Sequence, residues 1–216
     1  MRASFHCVQS LRSFHEIVGS IWKGISVRIT GEAARGIPLK VPNRGRIRPA
    51  TDRLRESVFS SLGPSVEGKR ILDLFAGTGA YGLEALSRGA ESVAFVEKDR
   101  AAVACLKANL AAVAKSLNRT DLRTVVAQAD VLSWRSSVVR EFDLVFADPP
   151  FSKLDSIIEP LFRFLSLLPA PGGDLRVVLE VPGQSEPASP GWLLERRIGK
   201  GRDQPTCCLF RRDAEN

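Results

Sequence analysis

The feature that most constrains the fold is a regular alternation of short apolar runs with longer amphipathic segments, which begins after Gly68. Runs that are apolar almost throughout are typical of strands buried on both faces, and such strands occur in parallel sheets covered by helices. The alternation therefore predicts repeated strand–helix units and an α/β fold. The five runs are RILDLF (70–75), SVAFVE (92–97), RTVVAQ (123–128), FDLVFA (142–147) and LRVVLEV (175–181).

The segments between and after these runs complete the predicted sheet. Helices are expected over 79–88, 99–117 and 153–168, with a short one near 131–140. Two final runs, WLLERRIG (192–199) and TCCLFRR (206–212), are separated by KGRDQP and predict an antiparallel hairpin on the sheet's edge. We therefore predict a mostly parallel, seven-stranded sheet with helices on both faces.

The chain before Gly68 has a different pattern. Residues 25–50 contain short alternating runs broken by glycine and proline, which predicts a small β-hairpin module, and Thr51 then opens the helix TDRLRESVFSSL. The first 24 residues are basic and poor in acid, and we expect a dispensable extension whose composition allows disorder. The predicted organisation is an extension (1–24), a basic module with a helix (25–67) and the main domain (68–216).

Basic residues are concentrated near the start of the chain. The protein has a formal net charge of +7, and residues 28–55 hold eight basic residues against the acids Glu32 and Asp52. This excess favours a polyanionic partner, although a solvated basic surface explains the charge equally well. The basic residues are Arg28, Arg35, Lys40, Arg44, Arg46, Arg48, Arg53 and Arg55.

Cysteine, histidine and hydropathy narrow the chemistry. The four cysteines show no C-x-x-C spacing, which predicts a reduced, cytoplasmic protein without a structural zinc. The two histidines both lie in the first 15 residues, so we expect neither histidine catalysis nor a metal site. No window approaches 18 uninterrupted apolar residues, and we expect no membrane span.

A glycine-rich turn follows the first strand. It reads Gly77-x-Gly79-x-x-Gly82, and Glu97 ends the next strand twenty residues after Gly77, where a carboxylate can accept the hydroxyl hydrogens of a ribose. Alone, this pattern also fits a nicotinamide-dependent oxidoreductase. Asp73 favours another cofactor, because an acid there would repel pyrophosphate but can hold the cationic amino-acid end of S-adenosylmethionine.

The ends of the third and fourth strands carry further polar groups. Asp130, before Val131, can accept from the N6 amino group of adenine, although an aspartate at a strand end is often a helix cap. The fourth strand ends in Asp148-Pro149-Pro150-Phe151, where prolines leave stiff carbonyl acceptors and remove backbone donors. Such a site suits an exocyclic amine on a flat base that stacks on Phe151, and the alternative is a simple turn.

Four segments together resemble a known family. They are RGRIRPATDRLRESVFSSL (44–62), LDLFAGTGAYGLEALSRGA (72–90), FVEKD (95–99) with Asn109-Leu110, and FDLVFADPPF (142–151). The glycine turn and D-P-P-F resemble class I S-adenosylmethionine-dependent N-methyltransferases. The full set, across about residues 27–181, resembles the bacterial small-subunit (16S) rRNA guanine-N2 methyltransferases, the RsmD-like family. The most specific element is R-P-x-x-D-x-x-R-E, because D-P-P-F alone does not separate RNA from DNA or protein substrates.

The resemblance implies a Rossmann-like class I methyltransferase, S-adenosylmethionine as cofactor, and 16S rRNA or the 30S particle as the partner of a monomer. The implied cofactor residues are Asp73, Phe75, Gly77, Thr78, Gly79, Glu97, Lys98, Asp130 and Val131. The implied catalytic residues are Asp148, Pro149, Pro150 and Phe151. The implied RNA-side wall consists of Arg48, Asp52, Arg55 and Glu56, although both arginines can instead be internal ion-pair partners of Asp52 and Glu56.

The chain departs from the family pattern at three places. Its first 26 residues are extra, Tyr81 replaces a smaller aliphatic residue, and Ile198 stands before Gly199 where an aromatic is common. These differences concern the role of the N-terminal region and the fine shape of the pocket, and not the chemistry. The alternatives are an N-methyltransferase acting on DNA or protein, the oxidoreductase, and an RNA-binding module that kept the fold without catalysis.

Overall fold

The computed structural model describes residues 27–42, 52–119, 122–135, 141–199, 201 and 203–213. The predicted extension (1–24), the opening residue Thr51 of the first helix, and Arg48 of the predicted RNA-side wall lie outside these ranges.

One sheet of seven strands forms the centre of the described part of the chain. The strands are β1 (Arg70–Leu74), β2 (Ser92–Glu97), β3 (Arg123–Gln128), β4 (Leu144–Ala147), β5 (Arg176–Val181), β6 (Trp192–Ile198) and β7 (Thr206–Arg212). Their order is β3-β2-β1-β4-β5-β7-β6. Strands β1 to β5 are parallel, and β7 is antiparallel to both β5 and β6. The predicted α/β fold and the hairpin at the sheet's edge are confirmed.

Within the described residues, four α-helices cover the two faces of this sheet. They are α1 (Asp52–Leu62), α2 (Ala80–Ser87), α3 (Arg100–Ser116) and α4 (Leu154–Ser166), and short 3₁₀ turns lie at Glu32–Ala34, Gly63–Val66, Phe151–Lys153 and Pro171–Gly173. Asp99 caps α3 by accepting a hydrogen bond of 2.7 Å from the backbone N–H of Ala102. Within the described ranges, no helix combines the length and the hydropathy needed to cross a membrane.

The short helix predicted near 131–140 is not present in the part of it that is described, which is residues 131–135. A turn replaces it, with hydrogen bonds from Ser133 N–H to the Asp130 carbonyl and from Trp134 N–H to the Val131 carbonyl. The Asp130 carboxylate also accepts from the Leu132 N–H at 3.1 Å. An aspartate that bonds to backbone two residues ahead favours a turn over a helix, which explains the wrong prediction.

Alternating side chains divide the core into one layer on each face of the sheet. Ile71 and Val93 lie in the layer covered by α1, α2 and α3, whereas Leu72 and Leu74 lie in the layer covered by α4. This division follows from the period of two in a β-strand, and both layers are apolar because helices cover both faces. The carboxyl ends of β1 to β5 therefore emerge together at one edge, between two packed layers.

The described N-terminal residues, 27–42, pair with themselves and pack on the sheet's helices. The Leu39 N–H donates to the Val27 carbonyl at 2.7 Å and the Ile29 N–H to the Ile37 carbonyl at 3.0 Å, so the segment is a short antiparallel pairing. Val27, Ile29 and Leu39 are buried in the layer that contains α1 to α3. The segment thus shares a core with the sheet, and the predicted division of the chain after residue 67 stays a prediction.

Candidate active site

A cavity of about 1110 Å³ opens at the carboxyl ends of the parallel strands. Ligands of open α/β sheets bind at this edge, where the strand order reverses between β1 and β4. All four predicted catalytic residues line the cavity, and so do all predicted cofactor residues except Gly79. The structure therefore brings together the side chains of Asp73, Phe75, Thr78, Glu97, Lys98, Asp130, Val131, Asp148, Pro149, Pro150 and Phe151 beside Gly77, and their individual roles stay predictions.

The cavity wall is strongly acidic. Six acidic and two basic residues line it. A buried or partly buried group of like charges favours a cationic or donor-rich ligand, because such a ligand offsets their mutual repulsion. The acidic residues are Asp73, Glu97, Asp99, Asp130, Asp148 and Glu180, and the basic ones are Lys98 and Arg100.

Glu97 holds the glycine turn from the neighbouring strand. Its Oε2 accepts from the Gly77 N–H at 2.9 Å, and its Oε1 accepts from the Asp99 N–H at 2.7 Å. Gly79, with φ of 84°, begins α2 in the left-handed region, and a Cβ there would lie 3.1 Å from Leu106 Cγ. Gly79 therefore shapes the turn from behind rather than lining the cavity, and its cofactor contact stays a prediction.

Asp73 lies beneath the same turn. Its side chain is 3% exposed, and its Oδ2 accepts from the Gly82 N–H at 2.8 Å. Gly82 has to be a glycine, because a Cβ there would lie 2.3 Å from Phe95 Cε1. Burial raises the pKa of Asp73 to about 8, against the lowering effect of the bond from Gly82.

Asn109, on α3, links the N-terminal segment to the glycine turn. Its side chain is 2% exposed and makes three hydrogen bonds: Oδ1 accepts from the Lys40 N–H at 2.7 Å, and Nδ2 donates to the carbonyls of Lys40 and Thr78, both at 3.0 Å. A buried amide with this many partners defines the relative position of two loops. Asn109 belongs to the family pattern in the sequence, but nothing in that pattern predicts this link.

Lys98 and Asp130 lie at the outer end of the cavity. Lys98 Nζ is 3.7 Å from Asp130 Oδ2, and both side chains are about half exposed. Because the other oxygen of Asp130 accepts from Leu132, this residue is a turn cap and a cavity-lining acid at once. The two interpretations of Asp130 from the sequence therefore do not exclude each other.

The Asp148-Pro149-Pro150-Phe151 segment leaves β4 and enters a 3₁₀ turn. The Asp148 N–H donates to the Leu74 carbonyl at 3.4 Å, and the Lys153 N–H closes the turn on the Pro150 carbonyl at 2.9 Å. These bonds hold the segment beside β1, with Asp148 and Phe151 partly buried. Burial, and then the nearby charges of Glu180 and Asp73, raise the pKa of Asp148 well above its usual range.

Glu180 and Tyr81 are site residues that the sequence analysis did not assign. Glu180, on β5, is 3% exposed and lines the cavity, and its Oε2 accepts from the Tyr81 hydroxyl at 2.9 Å. The Tyr81 hydroxyl also lies 3.4 Å from Cys207 Sγ, and burial raises the pKa of both Tyr81 and Cys207. A carboxylate at the end of the fifth parallel strand was the signal that could have identified Glu180.

Arg55 corrects part of the predicted RNA-side wall. Its side chain is fully buried and contacts Asp52 at 2.9 Å and Glu84 at 3.5 Å, and it also donates to the Arg28 carbonyl. A fully buried guanidinium cannot contact RNA, so the ion-pair alternative with Asp52 is the one observed, with Glu84 as the second partner in place of Glu56. Asp52 is partly exposed and Glu56 exposed, and neither lines the cavity.

The chain is similar to several known proteins. A family model described as conserved hypothetical protein 95 matches residues 27–208. Ribosomal RNA small subunit methyltransferase D of Escherichia coli is 39% identical over 127 residues, which cover 59% of this chain and 61% of that protein. The Haemophilus influenzae protein of the same name is 38% identical over 127 residues, which cover 58% of this chain and 64% of that protein.

The similarity extends to solved structures. The Escherichia coli protein yhhF superposes with a TM-score of 0.71 at 32% identity, over 88% of this chain and 99% of that one. The sequence alignments with the two curated relatives, by contrast, span less than two thirds of the length of either protein. The glycine turn and strands β1 to β6 lie within the residues that the family model matches, and the match ends inside β7.

Proposed function

Because the chain belongs to the family described as conserved hypothetical protein 95, we propose that it is an S-adenosylmethionine-dependent methyltransferase acting on the N2 amine of a guanine in 16S rRNA. The observation that carries the proposal is the Asp148-Pro149-Pro150-Phe151 segment, which lies in one cavity with the glycine turn and Glu97. The names of the two curated relatives support ribosomal RNA of the small subunit as the substrate.

The residues of the cavity fit S-adenosylmethionine. When bound, this cofactor supplies a methyl group on a cationic sulfur, and its amino-acid end carries an ammonium group beside a carboxylate. The six acidic residues of the cavity would stabilise the sulfonium and the ammonium group, whereas they would repel the pyrophosphate of a nicotinamide dinucleotide. Asp73 and the turn at Gly77 would hold the amino-acid end, Glu97 the ribose, and Asp130 with Val131 the adenine ring.

The other side of the cavity would hold the base. The Asp148 carboxylate and the Pro149 carbonyl accept the two hydrogens of the N2 amine, which turns the nitrogen lone pair toward the methyl donor. Phe151 offers a face on which the base can stack, worth about 1–3 kcal/mol. A base paired within a helix does not reach such a cavity, so the guanine has to be unpaired or flipped out.

The chain contributes mainly alignment. Holding the amine in line with the reacting carbon lowers a barrier by roughly 7–11 kcal/mol when the geometry is productive. The new N–C bond would replace the carbon–sulfur bond of the cofactor, whose sulfur would leave as a neutral thioether. The amine then becomes acidic, its N–H bond breaks, and the proton passes to Asp148 or to water. Because its pKa is raised, Asp148 is a stronger proton acceptor in its ionised form than an ordinary carboxylate.

The proposed partner is 16S rRNA or the 30S particle in the cytoplasm, with the enzyme acting as a monomer. The net charge of +7 supports a polyanionic partner. Phosphate contacts would make binding steeply dependent on salt.

The test is mass spectrometry of nucleosides from rRNA incubated with the protein and S-adenosylmethionine. We expect N2-methylguanosine to appear in 16S rRNA or in 30S particles, and not when the cofactor is omitted. Methyl incorporation into DNA or protein, with none in rRNA, would overturn the substrate class. An Asp148→Ala variant that binds 16S rRNA and methylates it as the wild type does would contradict the proposed site.

A further inference from the structure

Glu180 and Tyr81 form a part of the cavity wall that the proposed reaction does not yet use. Glu180 and Asp148 end neighbouring parallel strands, and their preceding residues Leu179 and Ala147 are register partners. The two carboxylates therefore emerge side by side at the same edge of the sheet, and both line the cavity. We propose that Glu180 is a specificity-determining residue that accepts the N1–H of the target guanine, and that Tyr81 is the positioning residue that orients its carboxylate.

The sheet order puts Glu180 on the substrate side of the site. The glycine turn follows β1, and Glu97 and Asp130 follow β2 and β3, all to one side of β4. Strand β5 is on the opposite side of β4 from β1. If the cofactor extends along β1 to β3, as the proposed function requires, a base held at Asp148 has β5 as its other neighbour.

The edge of guanine matches two neighbouring acceptor groups. Its N2 amine carries two hydrogens, and the adjacent N1 carries one more. When Asp148 and the Pro149 carbonyl accept the N2 hydrogens, the N1–H needs an acceptor next to Asp148. Adenine and cytosine present an acceptor nitrogen at the corresponding position, so a carboxylate there would repel them, and the site would select guanine by attraction and by repulsion together.

Tyr81 holds Glu180 in a defined orientation. Its hydroxyl donates to Glu180 Oε2 at 2.9 Å, and a carboxylate can accept several hydrogen bonds at once. The Tyr81 ring stacks on Phe146 with centroids 5.0 Å apart and planes inclined by 18°, and it is 5% exposed. Tyr81 therefore has little freedom to move.

The position next to a second carboxylate also has an electrostatic signature. Burial is the main cause of the raised pKa of both Asp148 and Tyr81, and the charge of Glu180 adds to the rise in both groups. Because the carboxylates of Asp148 and Glu180 interact, the ionisation of one disfavours that of the other. Hydrogen-bond donors on the edge of a base would stabilise the ionised form of both carboxylates.

The test compares guanosine with 2-aminopurine riboside at the nucleotide that the wild-type protein methylates, once mass spectrometry has mapped it. 2-Aminopurine keeps the N2 amine but has an acceptor at N1, so the wild type should lose about 10- to 100-fold in kcat/KM on it. The amide of Glu180→Gln can donate to that acceptor, so this variant should lower the ratio of kcat/KM on guanosine to kcat/KM on 2-aminopurine. Tyr81→Phe should lower this ratio less. Glu159→Gln, an exposed residue of α4, is the matched control and should keep the wild-type ratio.

Two further readouts separate the possible results. Calorimetric binding of S-adenosylhomocysteine should stay near wild type in Glu180→Gln and Tyr81→Phe, because Glu180 is on the substrate side and the Tyr81 hydroxyl contacts it there. A wild-type ratio of guanosine to 2-aminopurine in both variants would overturn the inference while leaving the proposed function intact. If the wild type methylates no guanine, the proposed function itself fails. Should Glu180→Gln not fold, Tyr81→Phe decides the question alone.

Discussion

The two halves of the cavity use their carboxylates in different ways. In the cofactor half, at the ends of β1 to β3, each of three acids accepts backbone N–H groups of a nearby turn: Asp73 from Gly82, Glu97 from Gly77 and Asp99, and Asp130 from Leu132. In the substrate half, at the ends of β4 and β5, two acids stand side by side, and one of them accepts from a buried tyrosine.

We infer from this difference that the carboxylates of the cofactor half stabilise turns, whereas those of the substrate half recognise a ligand. A carboxylate that accepts backbone N–H groups stabilises a turn with or without a ligand, so the cofactor half is shaped by the protein's own bonds. Neighbouring buried carboxylates repel each other until a proton, a cation or a donor group intervenes. The two carboxylates of the substrate half therefore favour a ligand whose edge carries hydrogen-bond donors, such as a base.

The largest expected effect is the loss of turnover in Asp148→Asn. Asparagine keeps the shape of the side chain but replaces one acceptor oxygen by a donor, and it cannot take the proton from the amine. We expect kcat to fall by about 10²–10⁴-fold, with S-adenosylhomocysteine binding near wild type by calorimetry. Asp174→Asn, at an exposed residue beyond the other end of β5, is the matched control. If Asp148→Asn lost turnover and cofactor affinity to the same extent, Asp148 would not belong to the substrate half alone.

Glu97→Gln should have a smaller effect, and it should lower the affinity for the cofactor rather than the turnover. The variant loses the charge and part of the acceptor set that holds Gly77, and a hydrogen bond to a charged group is worth about 1.5–3 kcal/mol. We therefore expect S-adenosylhomocysteine affinity to fall about 10- to 100-fold, while kcat at saturating cofactor stays near wild type. Glu91→Gln, paired with exposed Arg123 before the other end of β2, should change neither quantity. A fall in kcat without a fall in affinity would place Glu97 in the wrong half.

Asp73→Asn should change how the free energy of unfolding depends on pH. The pKa of Asp73 is raised from 3.8 to about 8, so the folded protein keeps a proton that the unfolded chain releases over that range. The stability from this group is complete below its unfolded pKa and is lost as the pH rises through the folded pKa. Urea unfolding should therefore show Asp73→Asn gaining on the wild type as pH rises from about 4 to about 8.

Asp143 provides the opposite case for the pH experiment. Its burial acts to raise the pKa, but hydrogen bonds from the Arg70 side chain and backbone outweigh burial, and the pKa is lowered. Its contribution to stability is therefore present above its unfolded pKa and is lost as the pH falls. If Asp73→Asn and Asp143→Asn change stability with the same sign of pH dependence, the assignment of Asp73 is wrong.

The smallest expected effect is that of Lys98→Ala. The ion pair of Lys98 with Asp130 is about half exposed on both sides, and such pairs contribute about 0–1 kcal/mol. Calorimetry with S-adenosylhomocysteine should show at most a severalfold loss of affinity, which salt should reduce further. A larger loss would mean that Lys98 contacts the cofactor directly, as the family resemblance implies.

Much of the fold and the cofactor half of the site could be predicted because their signals are local. The predicted bounds of β2 and β3 equal the observed ones, and Gly77 and Glu97 belong to consecutive strand–turn units. Parallel strands bring their carboxyl ends together by topology, so Asp73, Glu97, Asp130 and Asp148 were expected at one edge.

The failures share a physical cause. Arg55 reads as a basic surface residue, but its charge is buried against Glu84, on a helix that follows the glycine turn. In residues 131–135, the described part of the helix predicted near 131–140, a turn forms because the side chain of Asp130 bonds to the backbone ahead of it. Periodicity and charge patterns describe the residues of a segment, but they do not show which group each side chain contacts. Both errors arose because one side chain bonds to a partner that these patterns do not reveal.

The sequence by itself determined the alternation of strands and helices, the turn at Gly77 and the proline-stiffened acceptors after Asp148, because these depend on neighbours along the chain. The tertiary structure alone decided that Tyr81 meets Glu180, 99 residues away, and that Cys207 lies beside both. Such contacts arise when packed layers bring remote side chains into one low-dielectric space, where burial also determines which carboxylates stay ionised.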